Sequence, residues 1–554
     1  MKYFHKTGPA SAGIAFGSSP HCAALAVGMF FTFLGQAEAT IINAASPSLR
    51  DVTTAVALAV DGDTVIVPAG TATDWTSTLT ITKGITLIGQ TTTNPVAKTA
   101  NDRTIILDSV VRTSGSRALI ILNTTAGKFL RLSGITFKTG NTSVTNSNGM
   151  IQVSGNSQAT RIDNCHFDDL AYEAPNIQTF DYCVIDHNLF DFKTRGQQSV
   201  FCTYPDTFWG DVAWTLPARF GSNQFVFVED NCFNNTISGG FGGGLDGNRG
   251  GRYVFRHNHI YNCDGIVACH GTEIGRYRSH RAIESYNNDF HYTFSPNIGG
   301  IRGGSFITHD NTFDGAQVSH GVTLGTYRAF FPVPVFGGAW GDNPWDYNVT
   351  ESNGTHVDGH APFVFGSGTA GTGTNNTTIV DTTKNWTTNQ WVGYHVHRTT
   401  DAGGAVILSN TSTVLTVYWH PDYGGGTQWV AGNKYQIHRV LVATDQSCRG
   451  AGDLITGGSG TTSGVNATTG TISWTHQALE PAYSWNDIYT NSSGATSPVN
   501  VLMAIGAFAI LQEGRDFFNN TPMPGYTPYT YPHPLISGAT PTPPAPTNLR
   551  VSGP

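Results

Sequence analysis

Short runs of alternating apolar and polar residues, each ended by Gly, Asn or Asp, recur along most of the chain. A period-2 run bounded by turn-forming residues predicts a β-strand. Several runs share one pattern: an apolar strand, a polar pair that usually ends in Asn, one variable residue, and then Phe or Ile. They fall at 162–167, 185–190, 229–233, 256–260, 286–290 and 309–313.

The spacing of these runs predicts a solenoid. The repeated Phe or Ile positions are separated by 23, 43, 27, 30 and 23 residues. Each step is typical of one coil, and the longer second step indicates an insertion. Inward residues of one coil then pack on those of the next, about 4.8 Å away. Because Asn tolerates the left-handed turn conformation and stacked amides hydrogen-bond along the axis, we interpret the repeated Asn residues as a structural ladder.

An amphipathic helix precedes the strands. Ser46 is its predicted cap, Pro47 suits its first turn and Gly62 ends it. Its apolar face is formed by Leu49, Val52, Val56 and Ala59. Short strands are predicted within 63–70, 79–82 and 85–89. A helix in this position is the cap that the open end of a solenoid needs.

The pattern changes near residue 365. Residues 365–439 are rich in β-branched residues and predict a small all-β module inserted in the solenoid. Its tryptophans form either a sugar-stacking platform or a core; they are Trp386, Trp391, Trp419 and Trp429. The repeat resumes at 484–488. We therefore assign 40–364 to the β-helix and 440–538 to its final coils and C-terminal cap.

Both ends of the chain carry other signals. Residues 1–39 predict a signal peptide, with Lys2 and Lys6 before an apolar run at 22–34 and a small-x-small cleavage site at 37–39. That run is short for a membrane span, so export is favoured over an uncleaved anchor. We expect a secreted, extracellular monomer without membrane contact. Residues 539–554 predict a Pro-rich linker and the start of a truncated fibronectin III-like module.

Composition excludes some partners. Net charge is -8 and only 12% of residues are charged, so a nucleic-acid partner, which needs Lys and Arg against phosphate, is not expected.

Outside the signal peptide, the cysteines are Cys165, Cys183, Cys202, Cys232, Cys263, Cys269 and Cys448. Export favours disulfides, and buried thiols are the alternative. The absence of a Cys-x-x-Cys pair gives no support to a zinc site.

Because charge is scarce, a cluster of it is informative. The arginines concentrate between 249 and 302, as Arg249, Arg252, Arg256, Arg276, Arg278, Arg281 and Arg302. A glycine-rich loop at 239–251 carries Asp246. Positions one coil apart are neighbours on one face of a solenoid. Asp246, His270 and the arginines of 276–281 are therefore expected to line one groove.

Residues 51–89, especially Gly62-Asp63-Thr64-Val65-Ile66-Val67-Pro68-Ala69-Gly70, resemble the opening of pectate lyase-like β-helix proteins. The Asn-x-Phe coils extend the resemblance over about 50–330 and, more weakly, 440–535. It implies an all-β, right-handed parallel β-helix that acts on extracellular polysaccharide. The superfamily includes lyases, glycoside hydrolases, epimerases and non-catalytic tailspike or adhesion proteins. Ile185-Asp186-His187 is similar to a short pectate lyase signature but falls in an ordinary coil, without the arginine-bearing signature beside it.

We favour a polysaccharide lyase that cleaves a uronate-containing glycan by β-elimination. The proton beside a carboxylate becomes acidic when arginine or Ca²⁺ neutralises that carboxylate. The catalytic candidates are His270, Arg276, Arg278 and Arg281, of which His270 is the chemically easier base. The substrate-binding candidates are Arg249, Arg302 and Lys193. The calcium candidates, as oxygen ligands, are Asp246, Glu273 and Glu284.

Two alternatives stay open. A glycoside hydrolase needs two carboxyl groups at a set separation, which Asp246 with Asp264 or Glu284 can supply. A non-catalytic carbohydrate-binding or adhesion protein is favoured by the Trp-rich module and the short tail. The arginines near Glu273 and Glu284 are, on a structural interpretation, ion pairs outside the stack.

Overall fold

The computed structural model describes residues 39–537 with internal gaps. The chain divides into residues 1–38 and 39–554, and all of the first unit lies outside the described residues, as do 538–554. The predicted signal peptide and truncated module therefore fall there. The internal gaps are 113–117, 141–148, 172, 179–182, 196–198, 205–209, 238–242, 272–278, 317, 319–320, 326–363, 393, 401–403, 420–427, 439–444, 446, 452–477, 504–510 and 512.

Most strands pair in parallel with a strand one coil later, which produces a parallel β-helix with three faces. This confirms the predicted fold class. Sheet A has twelve strands. In order they are Ile41–Asn43, Thr64–Ile66, Thr86–Ile88, Leu130–Ser133, Thr160–Asp163, Cys183–Asp186, Val226–Glu229, Arg252–Arg256, Ala282–Tyr286, Ser305–His309, Ala482–Trp485 and Phe517–Phe518.

Sheet B follows sheet A in each coil, and its last two strands are antiparallel. Its strands are Gly70–Ala72, Thr104–Asp108, Thr136–Thr139, His166–Asp168, Leu189–Phe192, Cys232–Asn235, His259–Tyr261, Asp289–Tyr292, Thr312–Gly315, Ile488–Thr490 and Thr496–Pro498. A separate antiparallel hairpin is formed by Thr92–Asn94 and Thr99–Asn101.

Sheet C is the third face and carries the candidate site. Its strands are Leu79–Ile81, Ile120–Thr124, Ile151–Gly155, Asn176–Ile177, Val200–Cys202 and Leu245–Gly247. Bridges from Leu245 to Val267 and from Cys269 to Ile301 continue it. They lead into a three-stranded sheet of Gly300–Ile301, Thr323–Leu324 and Leu502–Met503.

The interior is stacked as the repeat predicts. The rings of Phe167 and Phe190 lie 4.6 Å apart, and those of Phe190 and Phe233 lie 4.8 Å apart. The cysteines of the described chain are free and buried among these apolar residues. Burial raises the pKa of the Cys165, Cys183 and Cys263 thiols. The structure therefore has the buried-thiol alternative rather than disulfides.

The Asn ladder is present, with one correction to its geometry. Each ladder amide donates to the side-chain oxygen of the next Asn at 2.9–3.1 Å, in the order Asn188, Asn231, Asn258, Asn288 and Asn311. The left-handed residue is the one before the ladder Asn, for example His187 with φ 54° and Asn287 with φ 53°. We expected the same Asn to adopt the left-handed conformation and to form the ladder hydrogen bond. In the structure, two consecutive residues share these roles.

The N-terminal helix spans Leu49–Leu58 and is shorter than predicted. Ser48, rather than Ser46, is its N-cap and accepts from the Asp51 N–H, while the Ser46 hydroxyl donates to the Asp51 carboxylate at 2.6 Å. The chain then turns, because the Asp63 carboxylate accepts the Val60 N–H at 2.7 Å.

The inserted module is a six-stranded antiparallel sheet. In sheet order its strands are Val364–Thr369, Lys434–His438, His395–Arg398, Gly404–Asn410, Val414–Tyr418 and Thr378–Val380. Trp391 and Trp429 belong to its core, and Trp386 and Trp419 pack against that core, which favours the packing interpretation of the tryptophans. After the module, Ala482–Trp485 pairs with Ser305–His309, so the β-helix continues.

Residues 521–537, which we call the C-terminal strap, run back along sheet A. The Tyr526 hydroxyl donates to Glu284 at 2.5 Å, and the His533 N–H donates to Glu229 at 2.8 Å. Arg256, fully buried, donates to the strap carbonyls of residues 529 and 530. The strap includes the 3-10 helix Pro534–Ile536. The other short helix is Asp211–Trp214, and no helix in the described chain is long and apolar enough to cross a membrane.

Candidate functional site

The outer face of sheet C holds a histidine paired with an aspartate. Asp246 lies in the strand Leu245–Gly247, and its side chain is 3% exposed. His270 comes one coil later and is 30% exposed, with Nδ1 2.8 Å from the Asp246 carboxylate. The structure therefore brings together two of the predicted site residues, 24 positions apart in sequence.

Backbone bonds fix this pair. The His270 N–H donates to the Gly247 carbonyl at 2.8 Å, and the Gly247 N–H donates to the Asp246 carboxylate at 2.7 Å. A Cβ at residue 247 would lie 2.4 Å from Nδ1 of His280 in the interior, so the strand needs glycine here. Burial lowers the pKa of His280 to about 3, which keeps that ring neutral behind the site.

The pair has the chemistry of a general base. A carboxylate that accepts from Nδ1–H selects one imidazole tautomer and makes Nε2 the basic nitrogen. It also stabilises the imidazolium that forms when Nε2 takes a proton. His270 can therefore accept a proton from a molecule on the outer face of sheet C.

An aromatic ring lies beside the pair. Phe201 is aligned with Asp246 in the neighbouring strand Val200–Cys202. Its ring centroid is 6.4 Å from that of His270, and the side chain is half-buried. An accessible aromatic face next to a base can support the apolar face of a sugar ring.

Two of the predicted substrate-binding arginines are close to this pair in the fold. Cys269 bridges Ile301, so His270 and Arg302 occupy adjacent positions one residue further along. Arg249 lies in the turn that leaves the Asp246 strand, half-buried and with φ 51°. By backbone position, Arg249 thus follows Asp246 in the same coil and Arg302 lies one coil beyond His270.

Arg281 and Glu284 lie on the sheet A side and do not join this pair. Arg281 is fully buried, with its guanidinium bonded to Glu480 and to the carbonyl of Leu216 at 3.0 Å. Glu284 is fully buried as well, and accepts from Tyr526 and from the Gly221 N–H. Burial raises the pKa of Glu284 to about 7. These contacts give both residues structural roles in the fold.

Three further candidates, Glu273, Arg276 and Arg278, lie in the segment 272–278, outside the described residues. We expected one groove to combine Asp246 and His270 with the arginines of 276–281, and the structure shows the Asp246–His270 part of it. The roles of Glu273, Arg276 and Arg278 stay predictions.

Lys193 lies on sheet B, in a group of charged residues that we call the sheet B charge cluster. Its members are Asp102, Lys138, His166, Asp168, Asp191 and Lys193. His166 bonds to Asp102 at 2.7 Å and to Asp191 at 3.1 Å. Burial alone would lower the pKa of His166, but these two bonds outweigh it and raise the pKa to about 9.

Asp102, His166 and Asp168 offer ligand atoms within 4.8 Å of one another, close enough to hold a metal ion. The surrounding charges do not fit calcium, because Lys138, Lys193 and protonated His166 already neutralise the three carboxylates, and calcium prefers six to eight oxygen ligands. Of the predicted calcium ligands, Asp246 is on sheet C and Glu284 on sheet A, while Glu273 lies outside the described residues. We derive no step through a metal.

Sequence reasoning missed Phe201, His166 and Glu173. Glu173 precedes the strand Asn176–Ile177, and burial, with a smaller contribution from Asp246, raises its pKa. Phe201 and His166 become recognisable only when the register assigns them to outward positions. The one signal available was the period-2 alternation, which places every second residue of a strand outside.

Comparisons with known proteins give distant likenesses. No family model matches the chain, and no curated protein matches it. The PL6 family alginate lyase AlyGC is similar at a TM-score of 0.32 with 16% identity, over 52% of this chain and 40% of that one. An arginine-to-alanine mutant of AlyGC gives the same TM-score and identity, over 51% and 40%. The tailspike of Pseudomonas phage phi297 gives a TM-score of 0.15 with 10% identity, over 70% and 90%.

The chain thus spans less than half of the alginate lyase's length. At these TM-scores the likenesses carry no argument about the reaction. The structure defines a parallel β-helix protein with a histidine–aspartate pair on one face.

Proposed function

We propose that the protein is a polysaccharide lyase that cleaves a uronate-containing glycan on the outer face of sheet C. The observation that carries the proposal is the 2.8 Å contact between His270 Nδ1 and the Asp246 carboxylate, at an accessible position beside Phe201. A histidine oriented in this way by a carboxylate can serve as a general base. With the predicted signal peptide, the reaction would take place outside the cell.

The proposed reaction is a β-elimination. Nε2 of His270 removes the proton on the carbon next to the uronate carboxylate, and that electron pair forms a carbon–carbon double bond. The bond to the glycosidic oxygen, one carbon further on, breaks, and that oxygen receives a proton from the imidazolium or from water. Arg302 and Arg249 neutralise the uronate carboxylate, which stabilises the charge that develops there.

The two carboxyl groups considered as partners of Asp246 in a hydrolase, Asp264 and Glu284, make other bonds. Glu284 is bonded to Tyr526 on sheet A. Asp264 accepts the Asn297 N–H at 2.6 Å, which gives it a role in the turn. Neither is paired with Asp246 across a site, as a two-carboxylate mechanism requires.

The test is to incubate the full-length mature protein with acidic and neutral polysaccharides, with and without a chelator. We expect unsaturated, ultraviolet-absorbing sugar ends from a polymer that contains uronate. New reducing ends without unsaturation would indicate a hydrolase. Binding without any cleavage would indicate a non-catalytic carbohydrate-binding or adhesion protein, and either result contradicts the proposal.

A further inference from the structure

The outer face of sheet C continues from the histidine–aspartate pair toward the N-terminal coils. Its register places one outward residue per coil in a row parallel to the solenoid axis. The row consists of Thr80, Ile121, Gln152, Asn176, Phe201 and Asp246. With coils about 4.8 Å apart, the part from Ile121 to Phe201 is about 14 Å long. A ligand that reaches His270 from this side therefore lies along this row.

The middle of the row contains amide side chains that hold one another. Gln178, two residues after Asn176, donates to the Asn176 side-chain oxygen at 3.1 Å, and Gln152 donates to Gln178 at 3.4 Å. Gln152 and Gln178 are half-buried. We call Gln152, Asn176 and Gln178 the amide row. Each amide has donors and acceptors, which suit sugar hydroxyl groups, and mutual bonding fixes their positions before a ligand binds.

The row carries no charge before the site. Among the described outward residues from Thr80 to Phe201, and in the adjacent row of Asn123, Ser154, Gln178 and Thr203, none is charged. On sheet B the same coils present Lys138, Asp168 and Asp191. The outward strand positions of sheet C before Asp246 are thus uncharged, whereas those of sheet B in the same coils are charged.

Because the residues of this row are uncharged, they favour neutral sugar units over charged ones. A homopolymer of uronate would bring a carboxylate in every sugar unit against a row without Lys or Arg to pair with it, at a cost in desolvation. Neutral sugar units in the same place have no charge to desolvate. The two arginines that we propose for the uronate lie outside this row, Arg249 in the coil of Asp246 and Arg302 one coil beyond His270.

We infer that the amide row binds neutral sugar units of the glycan, so that the substrate is a heteropolysaccharide in which uronate units are flanked by neutral ones. This rests on the proposed function for the position of the uronate at His270. The glycan lies along the solenoid axis, with neutral units on the amide row and Phe201 and the uronate between His270 and the two arginines.

The test is a binding measurement with the full chain carrying His270→Asn, so that no cleavage interferes. The probes are a uronate homopolymer and a copolymer in which the same uronate alternates with a neutral sugar, compared by affinity electrophoresis. We expect the copolymer to bind at least about tenfold more tightly. Adding Gln152→Ala and Gln178→Ala should weaken copolymer binding and remove that preference.

The matched control is Asn234→Ala, which removes an amide on sheet B that donates to Asp191 at 2.8 Å. It should leave the binding of both polymers unchanged. Equal or tighter binding of the homopolymer, a preference that survives the double substitution, or no binding of either polymer would overturn the inference. A copolymer preference without unsaturated products from the unsubstituted protein would refute the lyase and keep the amide row.

Discussion

His166 and His270 are both held by aspartates, yet their surroundings give them different chemistry. His166 is 6% exposed and lies between two carboxylates, which raise its pKa to about 9 and keep it protonated at neutral pH. The His270 ring contacts the Asp246 carboxylate at 2.8 Å and is 30% exposed. The first is a fixed cation in an ion network, whereas the second is suited to proton transfer.

The sheet B charge cluster predicts a pH-dependent stability. Because folding raises the pKa of His166, the protonated ring stabilises the folded protein. This contribution to stability is fully present below the pKa of the unfolded chain, near 6.5, and is lost as pH rises through about 9. The Asp102 pKa is lowered to about 2 by its bonds to His166 and Thr136, against burial, so its contribution is lost as pH falls toward that value. We expect His166→Gln to lower the free energy of unfolding by at most about 3 kcal/mol at pH 6 and by much less at pH 10. Denaturant unfolding at both pH values measures this difference, and a penalty that does not change with pH would contradict it.

Sequence reasoning could place Asp246 and His270 together because they are one coil apart, and a coil is the repeat that the chain displays. It could not place Arg281, because its partner Glu480 is 199 positions away, beyond the inserted module. A buried ion pair of this kind leaves no local pattern. Of the arginines of 276–281, the structure describes Arg281, which is buried on the sheet A side, and Arg276 and Arg278 stay predictions.

At the scale of elements, the coils were predictable and the strap was not. The coils repeat Asn and Phe at positions that stack, which is visible in one sequence. The C-terminal strap has no repeat, and its partners Glu284 and Glu229 lie 242 and 304 positions before it. For this segment, the sequence predicted only a C-terminal cap of the final coils.

The strap supplies partners to buried charges, which predicts that it stabilises the β-helix. A chain that ends at Asn520 loses the carbonyls bonded by Arg256 and the strap groups bonded by Glu229 and Glu284. We expect the free energy of unfolding to fall by about 3–5 kcal/mol, the cost of breaking a buried charged interaction. Thermal unfolding followed by circular dichroism measures the change.

The matched control for the strap is a chain that ends at Ser537, which keeps every strap contact described above. Its unfolding temperature should remain close to that of the full chain. If the two shortened chains unfold at the same temperature, the strap does not contribute in the way that its contacts indicate.

At the scale of the whole molecule, stacking places residues from distant coils side by side on each face. Sheet B gathers lysines, aspartates and histidines into ion pairs, while sheet C gathers amides and Phe201 beside Asp246 and His270. Because the chain has few charged residues, the difference in charge between these two faces is clear. The function that we propose depends on this difference between faces.

The most direct measurement is the rate of formation of unsaturated sugar ends by the unsubstituted protein, His270→Asn and His291→Asn. His291 is the control because its Nδ1 lies 2.7 Å from Asp314, a similar pair on sheet B. We expect His270→Asn to lower turnover by at least about 100-fold with little change in unfolding temperature, because the ring is partly exposed, and His291→Asn to retain full turnover. A folded His270→Asn protein that keeps full turnover would contradict the account.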